Sequence, residues 1–356
     1  MVAPSSSEAP LRVALAGYGL AGATFHAPLI AATGGLELSA VVTRDAQRRE
    51  QLAAAHPGAR AVEALEDALD DAELVVVASP NRFHVELATA ALEAGRHVVV
   101  DKPVALDAAQ ARELAERAGE VGRLVIPFHN RRWDDDYLTL GRVVHEGRLG
   151  HVLRFESRFD RWRPQVRAGV WREAGGPAEG GGLLLDLGTH LVDQAVQLLG
   201  PVTSVYAELD RRRPGAEVED DIFVALAHVG GARSHLWAGV HAAHPAPRFR
   251  VLGDRASYVS QGLDPQEAQL RAGTAPGDAA FGHREPDRAA TLHDGEGGAE
   301  RLAMERGRWT SFYPGVVAAI RDGARPPVAL DDAVGVLTIL DAARQSAAAG
   351  TVVAVA

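Results

Sequence analysis

LRVALAGYGLAG, residues 11–22, is an apolar strand running straight into a glycine turn, and its reading decides the fold. Leu11–Ala16 forms the strand, and an apolar helical stretch continues from the turn to Ile30. Gly17, Gly19 and Gly22 occupy the three fixed positions of G-x-G-x-x-G. The first glycine allows a tight turn, the second lets a pyrophosphate approach the backbone, and the third lets the helix pack closely on the strand. Unpaired N–H groups at the helix start then face the phosphates. Tyr18 and Leu20 lie between the glycines in the same cofactor-binding turn. In a chain with 37 glycines the bare pattern is weak, and the strand before it and helix after it give it meaning.

The pattern continues outward from that turn. Glu37–Thr43 reads as a second strand and Ala46–Ala55 as a polar-faced helix. Leu74–Ala78 and His97–Val100 are bare β-branched runs, as expected of parallel strands buried on both faces. Phe83–Glu93 between them is a helix that Gly95 can end, and Ala108–Ala118 and Arg123–Phe128 add a helix and a strand. Strand and helix alternate to about residue 128, which predicts an α/β Rossmann domain with a doubly wound parallel sheet. The second strand ends Val41-Val42-Thr43-Arg44. An acidic residue there would hold the ribose 2′-hydroxyl of NAD, whereas arginine suits a 2′-phosphate. Arg44, with Thr43 and Arg48, therefore favours NADP, with NAD selection by Asp45 as the alternative.

After Gly150 the pattern changes. His151–Phe159, Ser204–Leu209, Asp221–His228, Ser234–Val240, Arg248–Leu252 and Ser257–Ser260 read as successive strands. They predict an α+β domain with a large, mostly antiparallel open sheet, and the Asp186–Leu199 helix packed on one face. Gly273–Arg308, rich in Gly, Pro, Asp and Arg, reads as a surface excursion, and Phe312–Arg321 and Asp331–Ala348 as closing helices. The expected division is a tail over 1–10, a dinucleotide-binding domain over 11–128, and a substrate and oligomerisation domain over 129–356.

Composition sets the outer bounds. The chain has 356 residues, 47% hydrophobic and 24% charged, enough for two domains with their own cores. A net charge of −10 argues against a general affinity for nucleic acid. With no cysteine, disulfides, thiolate zinc sites and cysteine nucleophiles are excluded. Residues 1–10, MVAPSSSEAP, lack the basic start and apolar core of a signal peptide and read as a disordered tail. No apolar run is long enough to span a bilayer, so no membrane partner is expected and the cytoplasm is the expected compartment. Thirty-six of the 37 basic residues are arginine, and the only lysine is Lys102. A lysine is a compact cation with chemistry that arginine lacks.

Lys102 follows the buried run His97–Val100, and ligands of open α/β sheets bind outside the carboxyl ends of strands. Ser79-Pro80-Asn81 follows Leu74–Ala78 in the same way, with His84 one turn on, and these residues could line the nicotinamide side of the cleft. For His84 helix packing is an equal reading. Asp186, His190 and Asp193 share one face of a predicted helix. A histidine near a carboxylate can exchange protons near neutral pH. A capped helix start with a satisfied histidine is the alternative, and a metal site ranks last because no other ligands cluster there. Asp134-Asp135-Asp136 reads as a solvated helix start.

GYGLAG, the SPN turn, DKP after a buried strand and DLGTHLVDQ on a helix together resemble the Gfo/Idh/MocA oxidoreductases. TFHAP (24–28), FHNRRWD (128–134), FDRWRP (159–164) and GLDPQE (262–267) resemble the branch that contains scyllo-inositol dehydrogenases. The resemblance runs from about residue 11 to the C-terminus. It implies that Asp101-Lys102-Pro103 stands for the family's Glu-Lys-Pro motif, with Asp101 at the cofactor, and that Asp186 and His190 stand for its catalytic Asp-x-x-x-His. In the implied mechanism His190 takes a hydroxyl proton, Lys102 positions that hydroxyl and stabilises developing negative charge, and Asp186 orients His190 or holds a substrate hydroxyl.

Asn130, Arg131 and Trp133 follow one strand, with Arg132 among them; Asp160, Arg161 and Trp162 end another. They offer the donors, acceptors and aromatic faces that a polyhydroxylated ring would need, while the alternative for each arginine is an interdomain salt bridge. The implied partner is a small polyol or sugar, and the implied assembly is a homo-oligomer, a dimer or tetramer. The expected activity is NAD(P)-dependent oxidation of a secondary hydroxyl. An NAD-dependent glycosidase of the same fold and a non-catalytic dinucleotide sensor are its rivals.

Overall fold

The computed structural model describes residues 9–167, 169, 171–285 and 288–355. The expected tail therefore lies outside the described residues apart from Ala9 and Pro10, which are exposed. The first sheet contains β1 (Leu11–Ala16), β2 (Leu36–Val42), β3 (Arg60–Val62), β4 (Leu74–Val77), β5 (His97–Asp101) and β6 (Val125–Phe128). Among the described residues its order is β3-β2-β1-β4-β5-β6, all parallel. That is the Rossmann order, in which the chain reverses direction of travel across the sheet between β1 and β4. The strands are apolar on both faces because both are covered. Val75, Val77, Val98 and Val100 enter one core, while Leu74, Val76 and Val99 enter the other. Short β3 carries no apolar run, and sequence reading passes over it.

The second sheet contains β7 (Val152–Asp160), β8 (Val202–Asp210), β9 (Asp221–His228), β10 (Arg233–Gly239), β11 (Phe249–Gly253), β12 (Ser257–Ser260), β13 (Thr291–His293), β14 (Ala299–Arg301) and β15 (Val353–Ala354). Its order is β14-β13-β12-β11-β7-β10-β9-β8-β15, antiparallel except where β10 lies parallel to β7. The expected surface excursion is partly sheet: β13 and β14 extend its edge, Ala290 and Leu302 are buried in the core beneath it, and Phe281 is buried in the other core with Trp309 and Phe312. Few apolar residues sufficed because the segment pairs with an existing edge instead of building a core.

The helix Leu330–Ala349 packs on both the Ala108–Val121 helix and β8, and one core is continuous from β4 and β5 through Leu340 to Phe155 and Leu236. The two sheets are thereby fixed to each other, with the carboxyl ends of β1, β5 and β6 facing the end of β7. Among the described residues no helix is long and apolar enough to cross a membrane.

Candidate active site

The glycine turn has the shape its sequence requires. Gly17 holds φ at +111°, and a Cβ there would stand 2.7 Å from Ala78 O. At Gly22 an added Cβ would stand 2.0 Å from Gly17 O. At Gly19 nothing lies within 4 Å, so the open side of the turn is free for a phosphate to approach the backbone. The helix start is underwound, since Ala27 N–H donates to Gly22 O, five residues back. Such a cradle fits a dinucleotide. Tyr18 is buried, while Leu20 is half-exposed and reaches the adjoining cavity.

That cavity has a volume of about 420 Å³ and lies between the sheets. Leu20, Asp101, Lys102, Asp186 and His190 all line it. Asp101 Oδ1 accepts the Lys102 N–H at 2.8 Å, which fixes the turn after β5. Lys102 Nζ then donates to Asp186 O at 2.6 Å and to Asp186 Oδ1 at 3.0 Å. Arg172 and Arg161 stand 3.6 and 4.0 Å from the same carboxylate. Burial opposes ionisation of Asp186, yet Lys102, Arg172 and Arg161 together hold its carboxyl well below the ordinary range. His190 is buried, and its Nδ1 has no partner among the described residues. Burial, followed by the charges of Lys102, Arg131, His129 and Arg248, pushes its pKa well below the ordinary histidine value. The imidazole is therefore neutral near pH 7 and able to accept a proton.

The Asp186–Leu199 helix begins earlier than the sequence suggests. Leu184–Gly188 forms a wide turn, with Thr189 N–H donating to Leu184 O, before the regular helix Thr189–Leu199. Asp186 and His190 reach the cavity, but Asp193 does not. Asp193 takes the Arg132 guanidinium at 2.9 Å and stands 3.7 Å from His129, and Arg132 also reaches Asp332. Asp186 pairs with Lys102, and no hydrogen bond to His190 forms among the described residues.

The remaining sequence candidates divide sharply. Asn130, Arg131 and Arg161 line the cavity. Arg131 is also held by Asp134 at 3.1 Å and Glu267 at 3.0 Å, so the salt-bridge reading applies to it as well. Trp162 does not reach the cavity. Past β7 the chain stays extended, with Arg161 and Arg163 N–H groups donating to Gly239 O and Val240 O, so alternate side chains face opposite ways. Arg161 and Arg163 face inward, whereas Trp162 is 58% exposed and contacts the His241 ring. Asp160 instead caps a loop, accepting the Ala246 N–H at 2.9 Å. Trp133 packs edge-on to Phe312, 5.9 Å between ring centres.

On the cofactor side, His84 is a packing residue: its ring bonds Pro103 O at 2.8 Å and Ser79 O at 2.9 Å. Asn81 donates to Gly180 O at 3.0 Å, which ties the Ser79-Pro80-Asn81 turn to the second half of the chain. Thr43 is buried, and Arg44 is exposed, with Nε donating to Glu63 O at 3.2 Å. Asp45 accepts the Arg48 N–H at 2.9 Å as a helix N-cap.

Asp134, Asp135 and Asp136 are buried, contrary to a solvated helix start. Segments far along the chain cover them. Arg284 donates to Asp135 at 2.6 Å, Trp309 Nε1 to Asp134 at 2.9 Å, and Asp264 receives the Asp135 N–H at 2.7 Å. Sequence reading also passes over Arg163, Arg172, Glu173, Arg213, Glu267 and Arg271, which line the cavity. Arg163 was accessible through the two-residue strand period, and Glu267 through its motif. Arg213 lies in a loop, and Arg172, Glu173 and Arg271 lie on the short helices Trp171–Ala174 and Gln266–Arg271, none of which carries a local signal.

The profile described as "Oxidoreductase family, NAD-binding Rossmann fold" matches residues 11–129, and that described as "GFO/IDH/MocA C-terminal domain" matches residues 137–259. The chain is 41% identical to an uncharacterized oxidoreductase, YdgJ, of Escherichia coli strain K12 over 95% of this chain and 96% of that one. It is 33% identical to the scyllo-inositol 2-dehydrogenase (NADP+) IolW of Bacillus subtilis strain 168, over 94% and 93% of the two chains. A crystal structure from Klebsiella pneumoniae, of a protein described as an oxidoreductase of unproven activity, superposes with a TM-score of 0.88. It is 39% identical and covers 98% of this chain and 96% of that one.

Proposed function

This chain belongs to the GFO/IDH/MocA family of NAD-binding oxidoreductases, and from that premise we propose that it oxidises a secondary hydroxyl of a cyclic polyol or sugar, with NADP as the favoured cofactor. The observation that carries the reading is the convergence of Lys102, Asp186 and a neutral His190 on one cavity that also meets the glycine turn. When bound, the nicotinamide supplies the hydride acceptor. Gly17, Gly19 and Gly22 hold the pyrophosphate, with Asp101 and the Ser79-Pro80-Asn81 turn bordering the same crevice. The Lys102 ammonium, anchored by Asp186, donates to the substrate oxygen and stabilises negative charge as its proton leaves. His190 accepts that proton. Asn130, Arg131 and Arg161 orient the rest of the substrate.

Arg44, exposed at the end of β2, supports the choice of NADP, because a 2′-phosphate offers its guanidinium a partner that a 2′-hydroxyl does not. Residues 11–128 then bind the dinucleotide, and residues 129–356 supply substrate groups and subunit contacts. The sheet face opposite the core carries Phe223 in contact with both Tyr206 and Trp237, a surface suited to pairing copies of the chain as a dimer or tetramer.

The test is a panel of inositols and sugars with NAD and NADP, read by absorbance of the reduced nicotinamide. Turnover with a polyol, faster with NADP, is expected. Lys102→Ala should keep cofactor binding while kcat falls about 100-fold or more. Unchanged turnover in that variant would remove Lys102 from the mechanism.

A further inference from the structure

Charge in the cavity is unbalanced. Among the described residues eight cationic side chains line it against four carboxylates, and two acids behind the wall, Asp134 and Asp220, hold Arg131 and Arg213 at 3.1 and 2.8 Å, which still leaves the cations in excess. The acids are already shared. Glu267 takes both Arg131 and Arg271, at 3.0 and 2.9 Å. Glu173 takes Arg167 at 2.6 Å and Arg213 at 2.8 Å. Asp186 takes Lys102 and faces Arg172 and Arg161. Among the described residues the Arg163 guanidinium makes no hydrogen bond or close ion pair; its main chain bonds Val240 O and Arg213, and Glu173 and Asp186 attract it only at longer range. Burial, and then the charges of Arg161 and Arg167, push its guanidinium below the ordinary arginine value.

A cationic surplus in a partly enclosed site is unfavourable until a counter-charge enters. A neutral polyol would leave that surplus in place. The cofactor phosphates belong at the glycine turn after β1, whereas Arg161 and Arg163 follow β7. Arg161 and Arg172 instead stand within 4.0 Å of the carboxylate that anchors Lys102, beside the place of reaction. Arg161 and Arg163, two residues apart on one extended face, present paired guanidiniums to whatever lies there.

We infer that the substrate carries an acidic group, a carboxylate or a phosphate, which Arg161 and Arg163 receive beside Lys102, Asp186 and His190. The inference rests on the reading of this cavity as a polyol or sugar oxidation site. Its chemical class is thus an acidic polyol or sugar, with the oxidised hydroxyl at Lys102 and the anion on the arginine pair.

The experiment compares full-length wild type on glucose, glucuronate and glucose 6-phosphate, and on myo-inositol and an inositol monophosphate, with saturating NADP. A kcat/KM at least tenfold higher for an anionic member than for its neutral counterpart is expected, and the carboxylate and phosphate arms identify the acid. Arg163→Gln should reduce that ratio about tenfold or more, and Arg163→Lys should restore part of it. Turnover of neutral members with no anionic preference would overturn the inference and leave the dehydrogenase reading standing. An intact ratio in Arg163→Gln with a raised KM for NADP would overturn it by assigning the arginines to the cofactor. No reduction with any member would overturn both.

Discussion

His190 owes its chemistry to its neighbours. A histidine on a helix titrates near neutrality unless its surroundings intervene, and here burial and four cationic or imidazole groups disfavour its protonated form. Lys102 is first among those groups, so the two residues are electrostatically linked. In wild type the His190 ring should titrate below the ordinary value of 6.5, as followed by NMR of the imidazole protons. In Lys102→Met the loss of a nearby positive charge should move that titration upward. An unmoved titration would show that burial alone sets it. The acid limb of kcat/KM for oxidation should accordingly lie below pH 6.5, because the neutral form is the base.

At the scale of elements, two local patterns shape the site. The glycine turn is fixed by steric exclusion: Gly22 has no room for a Cβ, which would meet Gly17 O at 2.0 Å. Gly22→Ala should therefore destabilise the fold by about 1–3 kcal/mol and weaken dinucleotide binding. Thermal melts with and without NADPH measure both effects, and an unchanged ligand-induced shift would contradict the role of the turn. The strand exit after Asp160 works by period. It turns Arg161 and Arg163 inward and Trp162 outward, so a motif in which three neighbours all carry ring-binding groups delivers only some of them to the site. The glycine turn was legible because its constraint is local. Trp162 lies apart from the cavity because composition identifies suitable groups, while backbone direction chooses among them.

At the scale of the whole molecule, the covering of Asp134–Asp136 links stability to pH. Asp136 Oδ1 accepts the Tyr137 N–H at 2.8 Å, but Oδ2 has no hydrogen-bond partner among the described residues. Burial, opposed by Arg248 and reinforced by Asp135 and Asp134, pushes its carboxyl up to about 7. Between the ordinary value of 3.8 and about 7 the folded chain holds a proton that the unfolded chain has released. Stability from this group is therefore fully present below 3.8 and declines as pH rises to about 7. Asp134 and Asp264, also raised by burial, add to the same slope. Asp136→Asn keeps an acceptor for Tyr137 and should flatten the decline, with a melting temperature at pH 7.5 equal to or above that of wild type. An unaltered slope from pH 4.5 to 7.5 would assign it to the other carboxyls.

The sequence by itself determined the parallel sheet, the glycine cradle, the position of the only lysine after a buried strand, and the family to which the chain belongs. These rest on local rules: β-branched runs, glycine sterics and the place where strands end. Only the tertiary structure decided that Lys102 pairs with Asp186, that Asp193 braces Arg132 instead of His190, and that three aspartates lie buried. It also decided which arginines share the cavity. Each depends on segments tens to hundreds of residues apart, and the energies of buried charges are set by whatever the fold brings against them.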